Sequence, residues 1–358
     1  MNAPPAPERV LGWDVLRGLS ALAVAIYHLL LWQDVAALHT FGSYGVYLFF
    51  LVSGASLAYT YADRVGQRSF SLGPFLWVRY MRLAPLYLLL VALVLPWKLL
   101  REGASAQLLA KLALNASFLF GFFDPAVQAM LVGGWSLGIE AIFYLLFPLL
   151  LRAALRGWVG LAVWVLLLVL QWSWIQWTAG GAAGYPANAV LYHQAPAFAA
   201  YFMGGCLLGL ARRRQAMPAE PSTLPMAVIA AGFGAMLWLN PAQQGQELIG
   251  WRGPILFGLC FLMVWWAGRL QVPARAARLA ASLGDATYGV YLMHPVVFFG
   301  LGMALLPALG LPGPGQWALH LRILLVLGVI GTVFVLALLS ERYFERPLRD
   351  WSKSIRRG

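Results

Sequence analysis

Ionisable side chains are sparse in the apolar runs of this 358-residue chain, and the spacing of the few present is what could do chemistry. In DVLRGLSALAVAIYH, Arg17 and His28 stand eleven residues apart. On an α-helix that separation is three turns plus about 20°, with a rise of about 16 Å. Asp14 falls within about 40° of the same line, so a carboxylate, a guanidinium and an imidazole form one stripe along a helix face. A neutral imidazole is the form that a general base or nucleophile needs. The alternative for His28 is a buried packing histidine, and it is the aligned Arg17 that argues for chemistry.

Three other motifs carry candidate groups. In GGWSLGIEAIFYLLFP, Ser136, Glu140 and Tyr144 recur every four residues after a glycine pair and share a helix face. Such a face suits either a polar cavity or a hydrogen-bonded contact between helices. In VRYMRLAP, Arg79 and Arg82 are three residues apart, a spacing that suits a phosphate clamp or ordinary cationic anchoring at a membrane boundary. In LGDATYGVYLMHP, Tyr291 and His294 are near neighbours on a helix, whereas Tyr288 and His294, about 600° apart, point to different sides. His294 is accordingly a weaker general-base candidate than His28. The two cysteines, Cys206 and Cys260, lie inside apolar runs without metal-ligand spacing and read as packing residues.

The elements that must position these groups are membrane helices. The chain is 61% hydrophobic and 11% charged, and apolar runs of about 20 residues recur from end to end. The fold class is therefore all-α and integral to a membrane, a bundle of about ten transmembrane helices plus one re-entrant or interfacial helix. Expected spans are 13–33, 43–61, 76–96, 135–151, 158–177, 194–211, 223–240, 252–268, 286–307 and 318–340. The interrupted stretch 108–123 is expected not to cross. Leaving it out puts the basic connections around Arg64–Arg82, Arg152, Arg212–Arg214 and Arg269–Arg278 on one side with both termini, as cytoplasmic loops require.

The first run, with Arg17 and His28 inside it, is expected to remain as a helix rather than be cleaved as a signal peptide. One membrane domain spans 1–358, with a short cytoplasmic segment at 1–12 and a basic cytoplasmic tail at 341–358. The net charge of +12 sits in short clusters between apolar runs, which argues against a nucleic-acid partner. Tryptophans near span ends, such as Trp172, Trp174 and Trp177, form an aromatic belt or stack on sugars.

Taken in order, RGLSALAVAIYH, FFLVSGASLAY, RYMRLAP, WSLGIEAIFY, LGDATYGVYLMHP and ERYFERP resemble the motifs of the acyltransferase-3 family of integral membrane O-acyltransferases. The resemblance runs from about Leu11 to Pro347. Ala55 and Ser56 stand where the family often has an aromatic residue and a leucine, and Thr287 where serine is common; none of the three is expected to touch the chemistry.

The resemblance implies an enzyme of the bacterial cytoplasmic membrane, among lipids. It would move an acyl group, most simply acetyl, from cytoplasmic acetyl-CoA or another acyl-CoA to a hydroxyl of a carbohydrate or glycoconjugate acceptor, without a metal. His28 would be general base or transient acyl carrier, with Glu140 or Ser136 orienting it or the acceptor. Arg17, Arg79, Arg82 and Asp14 would form the donor site, and Trp135, Tyr144, Tyr288, Tyr291 and His294 would support the substrates. Acceptor specificity is expected in the outer connections Gly180–Gln194 and Asn240–Trp251. No esterase-like domain of the kind some relatives carry is expected, so this domain or a separate partner would complete the transfer. Two other readings remain: a proton-coupled or acyl-group transporter, which the absence of an inverted repeat disfavours, and a non-catalytic scaffold, which the aligned Arg17 and His28 disfavour.

Overall fold

The computed structural model describes residues 8–67, 69–181, 184–214 and 217–354, with only the backbone at 303, 304 and 354. Residues 1–7 and 355–358 of the expected terminal segments lie outside the described residues. The helices are α1 (Leu11–Trp32), α2 (His39–Gly66), α3 (Leu72–Glu102), α4 (Ala106–Ser117), α5 (Pro125–Gln128), α6 (Trp135–Leu155), α7 (Trp158–Ala179), α8 (Gly184–Tyr192), α9 (Ala199–Arg213), α10 (Thr223–Trp238), α11 (Arg252–Arg269), α12 (Ala274–Gly300), α13 (Leu306–Ala308), α14 (Leu319–Ser340) and α15 (Arg346–Ser354). Among the described residues the only β feature is an isolated bridge between Glu220 and Leu270. An apolar chain in lipid must satisfy its backbone polar groups internally, and helices do so segment by segment.

Seven helices among the described residues are long and apolar enough to cross a membrane: α1, α2, α3, α6, α7, the segment Ala195–Arg213 and the segment Leu319–Lys353. Seven of the ten expected spans thus meet the criterion of length and composition. The other three runs are helical, but α10 has 16 residues, α11 carries an arginine at each end, and α12 carries Arg275, Arg278, Asp285 and His294. The stretch 108–123 forms no crossing helix. Ser105 caps α4 by accepting from the Leu108 N–H. The helix ends after 12 residues at Phe118, whose φ of 57° lies in the left-handed region, and a short 3₁₀ turn follows at Leu119–Phe122.

Two close helix contacts set the frame. A Cβ on Gly205 of α9 would lie 2.1 Å from the Leu51 carbonyl oxygen of α2, so the two backbones approach as only glycine permits. The same contact buries Tyr44, Tyr47, Leu48 and Leu51 of α2 completely. Helix α1 packs against both α2 and α12. A Cβ on Gly284 of α12 would lie 2.6 Å from the Asp14 Cβ, which brings α12 directly over the acidic end of the α1 stripe.

Replacing Gly205 with Val should force α2 and α9 apart, at a cost of at least about 1–3 kcal/mol for overpacking. The expected readout is a lower melting temperature in detergent and a smaller monodisperse fraction, with Gly234→Val of α10, which has open space at its Cβ position, as the tolerated control.

Candidate active site

His28 sits in the last turns of α1 and His294 in the last two turns of α12, and their packing brings His28 Nδ1 to 3.1 Å from His294 Nε2. His294 Nδ1 is 3.0 Å from the Val290 carbonyl, one turn back on its own helix. A carbonyl can only accept, so in the neutral pair His294 Nδ1 carries the proton and its Nε2 is an acceptor. His28 must then donate from Nδ1, which leaves the lone pair on its Nε2. Trp32 stacks on His28 with ring centroids 5.0 Å apart and on His294 at 6.0 Å, holding both rings in nearly parallel planes.

Three cavities line up along α1 and α2. A cavity of about 420 Å³ opens at the N-terminal end of α1, called basic for Arg9, Arg17, Arg82 and Arg349, although Glu8, Asp14, Asp285, Glu341 and Glu345 also line it. Asp14 is held between two cations: Arg9 bonds it, and Arg17 lies 3.7 Å away. Arg9 also reaches Asp285 at 2.7 Å, and Arg349 pairs with Glu341. Arg17 donates to the Ser56 hydroxyl at 3.0 Å. Arg82 makes no hydrogen bond or ion pair among the described residues, and it lines the cavity together with Glu345, with whose carboxylate it interacts electrostatically.

The middle cavity, about 170 Å³, shares Arg17, Ser56, Thr60, Arg82 and Tyr288 with the basic one. Glu140 lines it, accepting from Ser53 at 3.1 Å and from Tyr144 one turn on. Arg79 faces this inner space, its guanidinium 5.7 Å from the Phe75 ring centroid and 5.9 Å from those of Tyr61 and Tyr144. The Ser136 and Tyr291 hydroxyls are 3.0 Å apart, each also 3.0 Å from the Gly133 carbonyl. Gly133 has φ 78°, a left-handed conformation that turns this carbonyl toward the hydroxyl pair just before α6 begins.

The outer cavity, about 310 Å³, lies at the opposite end of α1 and shares Val46 and Tyr291 with the middle one. His28 lines it together with Tyr27, Ser43, Trp135, Tyr185 and His193, among others. Its rim is tied down by the connection after α10. Gln244 donates to the Tyr27 hydroxyl at 3.2 Å, while the buried Glu247 carboxyl accepts from Ser43 and from the Gly245 N–H, both at 2.7 Å. Burial pushes the Glu247 carboxyl above the usual range, against these hydrogen bonds. Burial likewise holds the His193 imidazole down at about 4, so that ring is neutral at pH 7.

Residues 10–341 match the acyltransferase-3 family, described as an acyltransferase domain. The chain belongs to this family. This acyltransferase is similar to the exopolysaccharide production protein ExoZ of Rhizobium meliloti, 30% identical over 77% of this chain and 82% of that protein. It is also similar to the peptidoglycan O-acetyltransferase OatA of Listeria monocytogenes, 26% identical over 94% of this chain and 55% of the relative. A third relative, the putative peptidoglycan O-acetyltransferase YrhL of Bacillus subtilis, is 25% identical over 94% of this chain and 54% of its own length. The acyltransferase spans about half the length of the last two proteins. No solved structure gives a significant match.

The sequence-based site residues fall into these three cavities, except His294, which lines none of them and stands behind His28. Arg17, Arg82, Asp14 and Tyr288 line the basic end, Arg79, Ser136, Glu140, Tyr144 and Tyr291 the middle, and His28 and Trp135 the outer end. Two details of the expectation change. Neither Glu140 nor Ser136 is hydrogen-bonded to His28; its partner is His294, the histidine ranked second. Ser56, expected to stand clear of the chemistry, holds Arg17. Sequence reasoning passed over Arg9, Trp32, Ser53, His193, Gln244 and Glu247. Trp32 carried a signal, lying four residues beyond His28 on the same face, and His193, Gln244 and Glu247 lie within the two connections expected to set acceptor specificity.

Two measurements test this geometry. In ¹⁵N spectra of histidine-labelled acyltransferase, His28 should carry its proton on Nδ1, and His294→Ala should release it into a mixture of tautomers. For Glu247, a pKa raised on folding means that the native state binds the proton more tightly than the unfolded state. Its contribution is therefore greatest at acid pH and is lost as pH rises through the folded pKa. The stability of the wild type relative to Glu247→Gln should thus increase between pH 7 and pH 5, read from paired thermal melts; a difference independent of pH would contradict the assignment.

Proposed function

We propose that this acyltransferase moves an acyl group, most simply acetyl, from cytoplasmic acyl-CoA to a carbohydrate hydroxyl on the opposite side of the membrane. The observation that carries the reading is the His28 Nε2 lone pair, set by the bond to His294, in a cavity that shares Val46 and Tyr291 with the middle one, which in turn shares Arg17 and Arg82 with the basic pocket. With α10, α11 and α12 completing ten crossings, the basic ends of the helices and both termini lie in the cytoplasm of a bacterial cell, and His28 lies toward the outer face.

The nucleotide phosphates bind Arg82 and Arg17 in the basic cavity, with Asp14 setting the Arg17 position. The pantetheine arm runs through the middle cavity past Glu140, Tyr144 and Arg79, whose polar groups receive its amides. The thioester then lies between Ser136 and Tyr291 on one side and His28 on the other. As general base, His28 Nε2 takes the proton of the acceptor hydroxyl while the oxygen attacks the acyl carbon. The C–S bond breaks, an ester forms, and the proton passes to the leaving thiolate. In the covalent variant, Nε2 itself attacks the acyl carbon and expels the thiolate, and the acceptor hydroxyl then displaces the imidazole, its proton passing to the thiolate. In either form His28 Nδ1–H stays bonded to His294, so positive charge arising on His28 is spread over the pair. The exopolysaccharide and peptidoglycan functions named for the relatives support a glycan acceptor.

Purified protein in nanodiscs, given radiolabelled acetyl-CoA and envelope glycan, should form an alkali-labile glycan ester. His28→Ala should reduce transfer by about 10²–10⁴-fold with normal expression and insertion, and a His28→Ala protein of undiminished activity would remove the reading. Arg82→Ala should raise the acetyl-CoA KM roughly tenfold, the effect of about 1.4 kcal/mol, while leaving the acceptor KM in place. Substrate flux across the bilayer without ester formation would mark a transporter.

A further inference from the structure

The outer cavity differs from the basic one in a way that bears on what it accepts. Among the described residues its lining contains no Arg, Lys, Asp or Glu, whereas the basic cavity is lined by side chains of both signs. The charged side chain tied to its wall is Glu247, behind Ser43, and it is acidic. An anion entering this space would leave water and find no counter-charge.

What the cavity does offer suits a sugar ring. Trp135 and His193 pack ring against ring, with centroids 4.2 Å apart, and the Trp135 indole is itself only half-buried at the cavity edge. A pyranose presents a face of C–H bonds that stacks on an aromatic surface and a rim of hydroxyls that needs short-range donors and acceptors. Such groups surround the ring. The Tyr27 hydroxyl, which accepts from Gln244, has its own proton to give. His193 carries a buried Nδ1 without a partner, and its Nε2 stands 3.4 Å from the Tyr185 hydroxyl. A volume of about 310 Å³ is at the lower end of the about 300–1,000 Å³ usual for ligand sites, room for one ring and little more.

We propose that the outer cavity is a subsite for a single uncharged sugar ring, a neutral hexose, deoxyhexose or N-acetylhexosamine residue, stacked on Trp135, positioned by His193 and Gln244, with one hydroxyl directed to His28. The inference rests on the transferase reading and narrows its acceptor to neutral sugars, against uronic acids, sialic acids and phosphorylated sugars. A carboxylate or phosphate on a neighbouring residue of the same glycan remains compatible, because that residue lies outside the cavity.

The test compares envelope glycans from cells with and without the protein, using mass spectrometry of partially hydrolysed, ester-preserved fragments to locate each protein-dependent acyl group. Esters on neutral residues are the expected result, and esters on acidic or phosphorylated residues overturn the proposal. If no protein-dependent ester forms at all, the transferase reading fails first and takes this inference with it. In the nanodisc assay with the same glycan, His193→Gln and Trp135→Ala should each raise the acceptor KM at least roughly tenfold, leaving the acetyl-CoA KM unchanged. Equal acceptor KM values in wild type and His193→Gln, in a protein that melts normally, would show that His193 does not position the sugar.

Discussion

A histidine inside a helical bundle has two nearly equivalent neutral forms, and as a base it is useful only in the one that leaves the outward nitrogen free. In this protein the choice is made by a relay of two bonds, from His28 to His294 and from His294 to the Val290 carbonyl. The relay depends on helix α12 lying close enough to α1 for two imidazoles to meet edge to edge, which in turn depends on small side chains between the helices, such as Gly284 over Asp14. Displacing α12 by an ångström would break the bond between the rings and free His28 to change tautomer, while His294 stays held by its own helix. The His28 tautomer, the α1–α12 contact and the closed Trp32 stack are thus one mechanical unit.

The charged end of the bundle follows a different logic. Guanidiniums and carboxylates at a membrane boundary cost most when they stand alone, and here Asp14 is shared by Arg9 and Arg17, Asp285 binds Arg9 as well, and Glu341 binds Arg349. The Arg9–Asp285 pair joins the start of α1 to α12, while Arg349–Glu341 closes within the C-terminal segment. Arg82 stands outside these pairs, on a cavity wall shared with Glu345.

Much of this was legible in the amino-acid order because helices are periodic. The stripe from Asp14 through Arg17 to His28 follows from the 100° step alone, and so does the alignment of Ser136, Glu140 and Tyr144 on one cavity wall. What periodicity cannot give is register between helices far apart in sequence. His28 and His294 are 266 positions apart, and whether they face each other depends on how α1 and α12 slide and rotate together. The same limit hid the contact between Arg17 and Ser56 and turned Arg79 inward, away from the pocket that Arg82 reaches. Three of the ten expected spans, α10, α11 and α12, are helical but fall outside the seven that length and composition alone qualify, because short length or charged residues weaken the hydropathic signal.

The partition made by Val46 and Tyr291 between the middle and outer cavities has an electrical consequence. A bundle hollowed from both ends risks becoming a leak for ions, and a leak would discharge the gradient its host membrane maintains. At this partition a hydrated cation meets an isopropyl group and a phenol whose hydroxyl is already engaged by Ser136 and Gly133. It would have to shed its water with nothing to replace it, so the two chambers can approach each other closely while the barrier between them stays insulating.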